Sequence, residues 1–367
     1  VATNGCGTAT SPVQTLELRE VASRHGLWSF ESLHPPGALN SSAFGADGLE
    51  VVGEATYPDA TYGSLGHPML WSAAGGAALD LTPPGSVGGG ILVSENGTQA
   101  GWYWWPYTTP QGTGYHKHAC VWNGTVASHT DIQPSSWEYG SINDTDGSHH
   151  VGNVTINDFQ THGVGAYWAS SVKSAVKLTP SGDWGCSVSA IHDGEQFGST
   201  IHPFAVVRAA KWSGSSASYE DMTPAGYGWS YISGADDGAQ VGRAQIAGEH
   251  HAILWGGSAV SFTDLNPTGS AGSEALDVEA GLQLGRVGGA TALWAGVADD
   301  WVDLSAKVPA GFTGFYARDL EVLPDGDVVV VGHATDTALG HGVAVRMRMR
   351  ATTLEADVEV VSLATGG

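Results

Sequence analysis

A short phrase that ends in small and apolar residues followed by tryptophan recurs along this chain, and each copy leads into a turn of the Asp-Leu-Thr-Pro-Gly type. The copies are HPMLW (67–71), HACVW (118–122), VGAYW (164–168), RAAKW (208–212), HAILW (251–255), ATALW (290–294) and a degenerate GVAVRM (342–347). Successive tryptophans are roughly 40–50 residues apart, the period of four-stranded propeller blades. The repeat therefore predicts an all-β fold: a seven-bladed β-propeller of four-stranded antiparallel blades.

The repeat also defines the domain organisation, because stacked units share one continuous core and cannot be cut apart. Residues 1–367 are predicted to form a single domain. Its units cover about 30–78, 79–128, 129–175, 176–218, 219–261, 262–300 and 301–350. Two strand-like segments lie outside the units, TLELREV (15–21) and ADVEVVSLA (356–364). A ring of blades must join its ends to avoid an open edge, so we expect N- and C-terminal strands to close it, with one or both segments completing the last blade.

Glycine occupies a fixed place in each unit, after an apolar residue in the second strand. Glycine within a strand costs stability, and its repetition indicates close approach of a neighbouring backbone or side chain. We expect the tryptophan of the third strand to occupy that space and to lock neighbouring blades together. The pairs are VG (52–53), AG (100–101), VG (151–152), FG (197–198), VG (241–242), LG (284–285) and VG (331–332).

Composition excludes several classes of partner. The chain carries 37 acidic and 14 basic residues, a formal net charge of −23, which disfavours nucleic acid and anionic membranes. No run of about 18 apolar residues is present, so we expect no membrane insertion and a water-soluble monomer. The first residue is Val rather than Met, which hints at export. The three cysteines cannot form a disulfide framework, and Cys120 and Cys186 are expected to be buried.

Unit five contains the phrases GADDGAQVGRA, HHAILWGG and FTDL. It resembles the HAF repeat, which combines an Asn/Asp-Asp-x-Gly turn, a Val-Gly strand, a His-Ala-apolar-Trp strand and an Asp-Leu-Gly exit. Units two, three and six match well, and the others match loosely. The resemblance implies a bacterial extracellular β-propeller, secreted, periplasmic or at the cell surface, and implies no particular activity. Val164, Arg208 and Ala290 replace the histidine, so it implies no role for that residue in every blade.

Aromatic residues cluster in the segments that enter the first strands and in the hairpin GWYWWPY of unit two. Rigid amphipathic rings at the rim of a propeller suit stacking on sugar faces or on protein side chains. The alternative is that these rings pack between blades. The candidate ligand-binding tryptophans are Trp102, Trp105, Trp137, Trp184 and Trp229.

The residue after each apolar-Gly pair varies and is mostly polar, as expected of a functional rather than a structural position. Arg243 and Arg286 stand there in adjacent units, and two neighbouring guanidinium groups require a neutralising anion. A carboxylate of the protein itself is the simpler partner, and the carboxylate of an acidic polysaccharide is the alternative. Glu54 and Asn153 are the further candidate ligand-binding residues. The full series is Glu54, Trp102, Asn153, Ser199, Arg243, Arg286 and His333.

The histidines of the repeated phrase, His67, His118 and His251, are expected to be structural and to hydrogen-bond a neighbouring strand. His116, His118 and Cys120 alternate along one strand and could together bind zinc or copper. Trp122 continues the same face into the predicted core, so no metal site is predicted there. The sequence indicates no particular cofactor.

Three functions fit these patterns. The first is an exported binding module whose aromatic channel face holds a carbohydrate or an extracellular protein. The second is a polysaccharide lyase on a uronate-containing glycan, with Arg243 or Arg286 as carboxylate clamp and His333 and Tyr316 as base and acid. The third is a structural repeat protein. The absence of a Gly-x-Ser-x-Gly elbow, a P-loop and a dinucleotide fingerprint disfavours serine hydrolases and nucleotide enzymes.

Overall fold

The structure is a computed structural model that describes residues 26–73, 77–109, 112–156, 163–170 and 172–350. Within these ranges the chain is built from strands, with short 3₁₀ turns at Val126–Ser128, Pro203–Ala205, Ser216–Ser218 and Ser305–Lys307 and no α-helix. None of the helical turns in the described ranges has the length and apolar character needed to cross a membrane.

In the described ranges, twenty-eight strands form seven sheets of four. The first described strand is β1 (Trp28–Ser32). Blade one is β2 (Asn40–Asp47), β3 (Glu50–Asp59), β4 (Gly63–Trp71) and β5 (Leu79–Asp80). Blade two is β6 (Gly89–Glu95), β7 (Thr98–Thr109), β8 (Gly112–Trp122) and β9 (Thr130–Asp131). Blade three is β10 (Tyr139–Thr145), β11 (His150–Thr155), β12 (Val164–Trp168) and β13 (Val176–Lys177).

The remaining blades repeat the plan. Blade four is β14 (Gly185–His192), β15 (Glu195–His202), β16 (Val206–Trp212) and β17 (Glu220–Asp221). Blade five is β18 (Ser230–Asp236), β19 (Ala239–Ile246), β20 (Glu249–Ser258) and β21 (Ser261–Asp264). Blade six is β22 (Ser273–Glu279), β23 (Leu282–Val287), β24 (Ala290–Trp294) and β25 (Trp301–Asp303). Blade seven contains β26 (Phe312–Val322), β27 (Val328–Asp336) and β28 (His341–Met349).

Every described sheet is antiparallel, and in blades one to six the strands follow the order of the chain, which confirms the seven-bladed propeller predicted from the repeat. The first strand of each blade lies innermost and the fourth lies outermost. The short fourth strands pair with the third strands before them. Blades one to six therefore each end one strand later than the unit boundaries drawn from the sequence.

The ring is closed by a strand from the N-terminal part of the chain. The last sheet has the order β1-β28-β27-β26, with Trp28 opposite Met349 and Ser32 opposite Val345. The closing strand is therefore 28–32. Residues 28–29 precede the predicted unit one, and residues 30–32 lie at its start. The two segments proposed for closure, 15–21 and 356–364, lie outside the described residues.

The residue after β1 repeats a contact found in the other blades. The Leu33 N–H donates to the Ala344 carbonyl at 2.8 Å, as the Leu81 N–H donates to Pro68 and the Leu265 N–H to Ala252, both also at 2.8 Å. Leu33 thus takes the place of the leucine in the Asp-Leu exit phrase. The seventh copy of that phrase is ESLHPPG (31–37). It is far along the chain from β26, β27 and β28, the strands of the blade that it completes.

The tryptophans of the repeat are buried between blades. The Trp122 indole N–H donates to the Leu81 carbonyl at 3.1 Å, and Trp255 makes the same bond to Met222 at 2.9 Å. In each case the acceptor follows the outermost strand of the preceding blade. Trp71 packs in one cluster with Leu33, which extends the series across the closure. The predicted role of tryptophan as an inter-blade lock is confirmed in these contacts.

The repeated glycines serve a different contact from the one predicted. A Cβ at Gly242 would overlap the carbonyl oxygen of Tyr231, and a Cβ at Gly53 would overlap that of Ser42. The inner strand bulges just after this point in every blade, as between Ile232 and Gly234, and the carbonyl next to the glycine belongs to the residue two positions before the bulged one. The expectation that tryptophan fills the space beside the glycine was therefore wrong.

The repeated histidines bind the aspartate 13 positions later, on the outermost strand of the same blade. His67 lies 2.6 Å from Asp80, and His251 lies 2.7 Å from Asp264. In blade four, Arg208 replaces the histidine and reaches Asp221 at 2.7 Å. The predicted structural role of the repeated histidines agrees with these contacts. Cys120 and Cys186 are buried free thiols, as expected.

Gly242→Ala should destabilise the protein by about 3 kcal/mol, because the added methyl group would force the bulge away from the second strand. Gly289→Ala is the matched control, since no atom lies within 4 Å of a Cβ at that position. Urea unfolding of both variants, followed by tryptophan fluorescence, checks the difference. Equal unfolding midpoints would contradict the assigned role of the bulge.

The ionised Asp131 side chain should contribute to the free energy of unfolding, and this contribution should be lost at acid pH. Burial alone would raise its pKa, but hydrogen bonds from His118, Lys173 and the Gln133 N–H lower the pKa to about 2. The folded-state pKa is below the unfolded value, so the stabilisation, about 2 kcal/mol, is present above pH 4 and is lost as the pH falls towards 2. Asp131→Asn should lose this component.

The measurement for Asp131→Asn is the free energy of unfolding between pH 7 and pH 2. Asp303→Asn is the control, at the equivalent position of blade six, where Ala290 stands in place of the histidine. The difference between wild type and Asp131→Asn should shrink below pH 4. A difference that stays constant with pH would rule out the ionised pair as its cause.

Candidate functional site

The propeller has two ends of different character. The front face is the end at which the inner strands begin. The hairpins between the second and third strands lie at the same end. The back face is the end at which the inner strands finish in their tight turns. A cavity of about 630 Å³ runs in the central channel, lined by the inner strands.

The exposed aromatic residues are gathered on one side of the molecule. Of the described residues, those aromatic side chains that are large and exposed all lie in the half of the blades nearer the front face. Phe204 stands out at 91% exposure, at the tip of a hairpin where its φ is +69°. Such a φ is strained for a bulky residue. The set is Tyr62, Trp105, Tyr107, Trp184, Phe204, Trp229 and Tyr316.

Blade two contributes the largest group of aromatic side chains to the front face, because its β7–β8 hairpin is longer than the hairpins of the other blades. Trp102 and Trp104 lie edge to face with ring centroids 5.6 Å apart. The Lys117 ammonium lies 4.6 Å from the centroid of Trp102. A cavity of about 400 Å³ opens between this hairpin and its neighbours, lined by Tyr62, Leu65, Val87, Trp104, Tyr115 and Tyr139.

Two residues predicted to bind a ligand serve the fold instead. Trp137 is 9% exposed and packs edge to face on Trp168, with ring centroids 6.2 Å apart, so it belongs to the core between blades. The Asn153 amide donates to Ser187 at 3.0 Å and accepts the Val188 N–H at 3.2 Å. The amide nitrogen and the amide oxygen of Asn153 therefore both link blade three to blade four. By contrast, Trp105, Trp184 and Trp229, which were also predicted to bind a ligand, are exposed.

Arg243 and Arg286 share one carboxylate of the protein. Glu274 accepts a hydrogen bond from Arg243 at 3.1 Å through one oxygen, and its other oxygen lies 3.5 Å from Arg286. The guanidinium of Arg243 also lies 4.8 Å from the ring centroid of Tyr231, and that of Arg286 lies 5.4 Å from Tyr316. The guanidinium groups of both arginines therefore lie over tyrosine rings, and Glu274 lies between the two guanidinium groups.

Arg318 joins this cluster, although the sequence analysis did not select it. It is the bulged residue of β26 and lines the channel. Burial, and next the charge of Arg286, lower its pKa. The bulged residue stands at the same distance before the repeated glycine in blades one to six, whereas the longer connection between β26 and β27 places Arg318 further from Gly332, so the repeat did not reveal it. In the seven blades it is Phe44, Leu92, Asn143, Ser189, Ser233, Leu276 and Arg318, all along the channel cavity.

His333 and Tyr316 also meet at the front half of the channel. Their rings are stacked with centroids 5.2 Å apart and an interplanar angle of 19°, and His333 Nδ1 lies 3.2 Å from Ser42 Oγ. Burial, and next the charges of Arg318 and Arg286, lower the pKa of His333. Glu54 lines the same cavity, of about 300 Å³, and burial raises its pKa.

Carboxylates dominate the back half of the channel, where they tie blades together. Asp144 accepts the Ile191 N–H, Asp277 accepts the Leu320 N–H and Asp319 accepts the Ala46 N–H, each at 2.8 Å. Each bond joins one inner strand to the next. Burial raises the pKa of Asp144 to about 8 and that of Asp277 to about 6, despite these amide donors.

The described part of the chain contains one group of side chains spaced to hold a metal ion. His192, Asp236 and Asp237 place one ligand atom each within 4.8 Å of the others, at the back face. The Asp237 N–H already donates to His192 Nε2 at 3.0 Å. This bond links blades four and five and accounts for the position of the imidazole. The triplet of His116, His118 and Cys120 forms no such group, because His118 lies 3.3 Å from Asp131 and Cys120 is buried.

The chain matches no family model and no curated protein. Among solved structures it is similar to a puromycin hydrolase, with TM-score 0.52 and 13% identity over 88% of this chain and 54% of the other. It is also similar to a prolyl endopeptidase, with TM-score 0.52 and 11% identity over 84% and 47%. The chain thus spans about half the length of these two proteins.

A third similar structure is an isolated propeller. It is the β-propeller domain of the Trilobed protease from Pyrococcus furiosus, with TM-score 0.55 and 11% identity over 88% of this chain and 99% of that one. That domain is described as having an open velcro topology, whereas β1 completes the last blade here. At such identities the likeness shows the fold alone, a β-propeller module.

Proposed function

We propose that this protein is an exported binding module that holds an oligosaccharide on its front face. The observation that carries the proposal is the segregation of exposed aromatic rings to that face, within the described residues. Water-exposed rings cost free energy, and a concentration of them on one face is typical of a surface that a ligand covers. The resemblance to HAF repeats and the acidic composition support an extracellular setting.

The chemistry between the rings favours a sugar. Ring faces stack on the apolar faces of pyranosides, and nearby polar groups fix the hydroxyl groups. On the front side, Trp102 carries Lys117 over its ring, and Glu54 and His333 line the adjacent cavity. Trp184 and Trp229, on blades four and five, are about half exposed. Rings on several blades are suited to successive residues of one chain.

Trp105→Ala and Trp229→Ala should each weaken glycan binding about tenfold, which corresponds to about 1.4 kcal/mol of lost stacking. A glycan array identifies the bound oligosaccharide, and calorimetry with that oligosaccharide measures the loss. Val260→Ala is the matched control, because Val260 is 89% exposed in the turn between β20 and β21, at the back side. An array without signal would refute the proposal and favour a purely structural protein.

A lyase acting on a uronate-containing glycan is the second candidate, favoured by the meeting of His333, Tyr316 and Arg286. In such a reaction a base removes the C5 proton, the electron pair forms the C4–C5 double bond, and the O4 leaving group takes a proton from an acid. Arg286 would hold the carboxylate that acidifies C5. His333 and Tyr316 would serve as base and acid.

The lyase candidate predicts an absorbing unsaturated product. Incubation with a panel of uronate-containing glycans, followed by ultraviolet absorbance, should give a rising signal that Arg286→Ala abolishes. Arg208→Ala is the control, since Arg208 binds Asp221 on an outermost strand away from the channel. A flat signal with every substrate leaves the binding module as the function.

A further inference from the structure

The front half of the channel contains a cluster of three arginines with a single neutralising carboxylate. Arg243 and Arg286 both contact Glu274. Arg318 lines the channel cavity and makes no ion pair with any residue that the structure describes. We propose that Arg243, Arg286 and Arg318 form a binding site for a carboxylate group of the ligand. This inference rests on the proposed binding function and names its ligand as an acidic glycan.

The charge balance of the cluster is the first argument. One carboxylate can neutralise one guanidinium, so two positive charges remain within this group of four side chains. Neighbouring cations in a partly desolvated channel repel one another: burial, and next the charge of Arg286, lower the pKa of Arg318. The chain as a whole has a formal charge of −23, which makes this local excess of positive charge unusual for its surface. An incoming anion would remove the repulsion.

The unused hydrogen-bond donors are the second argument. A guanidinium has five N–H donors. Arg243 donates one of them to Glu274. Arg286 Nη1 lies 3.5 Å from Glu274 Oε1, at the limit of a hydrogen bond. The Nε atoms of both arginines are buried and have no partner in the described structure. Buried donors without acceptors are costly, so the cluster is more complete with a second acceptor group than without one.

The geometry favours a carboxylate in particular. Glu274 already shows a carboxylate bridging two guanidiniums at this place, one oxygen to each. Planar guanidiniums match planar carboxylates through paired N–H donors. Both arginines are supported from beneath by tyrosine rings, Tyr231 and Tyr316, which hold the planes in position. A uronate would place its ring against the same tyrosines while its carboxylate meets Arg318.

The electrostatics along the channel restrict the ligand to the front. The back half is lined by Asp144, Asp277, Glu279 and Asp319. An anion that enters from the front meets the arginines first and finds no further lysine or arginine among the described residues that line the channel beyond them. The cluster therefore acts as an end point for an acidic glycan that lies across the aromatic rings of the front face, not as a passage through the propeller.

The test compares D-glucuronate with D-glucose and sulfate as probes, using calorimetry on the whole protein at low ionic strength. We expect glucuronate to bind at least tenfold more tightly than glucose. Arg318→Gln should weaken glucuronate binding about tenfold, and Glu274→Gln should strengthen it severalfold, because it removes the competing carboxylate. Arg208→Gln is the matched control and should leave the dissociation constant unchanged, because Arg208 is paired with Asp221 on an outer strand.

Opposite effects of Arg318→Gln and Glu274→Gln would support the site even if one variant were less stable, since loss of folding can only weaken binding. Equal affinity for glucuronate and glucose would overturn the inference, as would a glucuronate affinity that Arg318→Gln leaves intact. Sulfate binding tenfold more tightly than glucuronate would overturn the assignment to carboxylates. Binding of neutral oligosaccharides that depends on Trp105, without glucuronate binding, would refute this site and leave the proposed function standing.

Discussion

The contact on which the whole ring depends is the one between a third-strand tryptophan and the end of the preceding blade. A four-stranded sheet has two faces to cover and cannot bury either alone, so each blade is stable only against its neighbours. The bond from Trp122 to the Leu81 carbonyl sets how closely two blades approach. Across the closure Trp71 packs in one cluster with Leu33, so a buried tryptophan separates the first and last blades as well, although its indole N–H has no acceptor in the described structure.

The bulge in each inner strand turns this repeated scaffold into a channel with variable lining. Just before the bulge one carbonyl lies against the second strand, which is why glycine recurs there, and the bulged side chain lines the channel. Neither of these consequences restricts the type of the bulged residue. Blade one can therefore place Phe44 at this point while blade seven places Arg318.

Charge is separated along the channel for two different reasons. The back half is acidic because carboxylates there accept amide hydrogens of the next inner strand, as Asp319 does from Ala46. Those bonds serve the assembly of the ring. The arginines of the front half also reach the next blade, since Arg243 contacts Glu274 and Arg286 lies over the ring of Tyr316. Unlike the carboxylates, Arg243 and Arg286 keep buried N–H donors that have no acceptor in the described structure, which makes this cluster the better candidate for a function.

The repeat in the sequence was sufficient to determine the blade number, the strand order and the buried tryptophans, because the same short-range pattern is imposed on every blade by the same packing. It also placed Arg243 and Arg286 side by side. It could not show that residues 28–32 complete the seventh blade, since that pairing joins segments more than 300 residues apart. Nor could it show that Trp137 is core or that Arg318 reaches the arginine pair, since these depend on bulges and inter-blade distances. Local periodicity determines how each strand is built, whereas side chains from different blades meet only after the ring has closed.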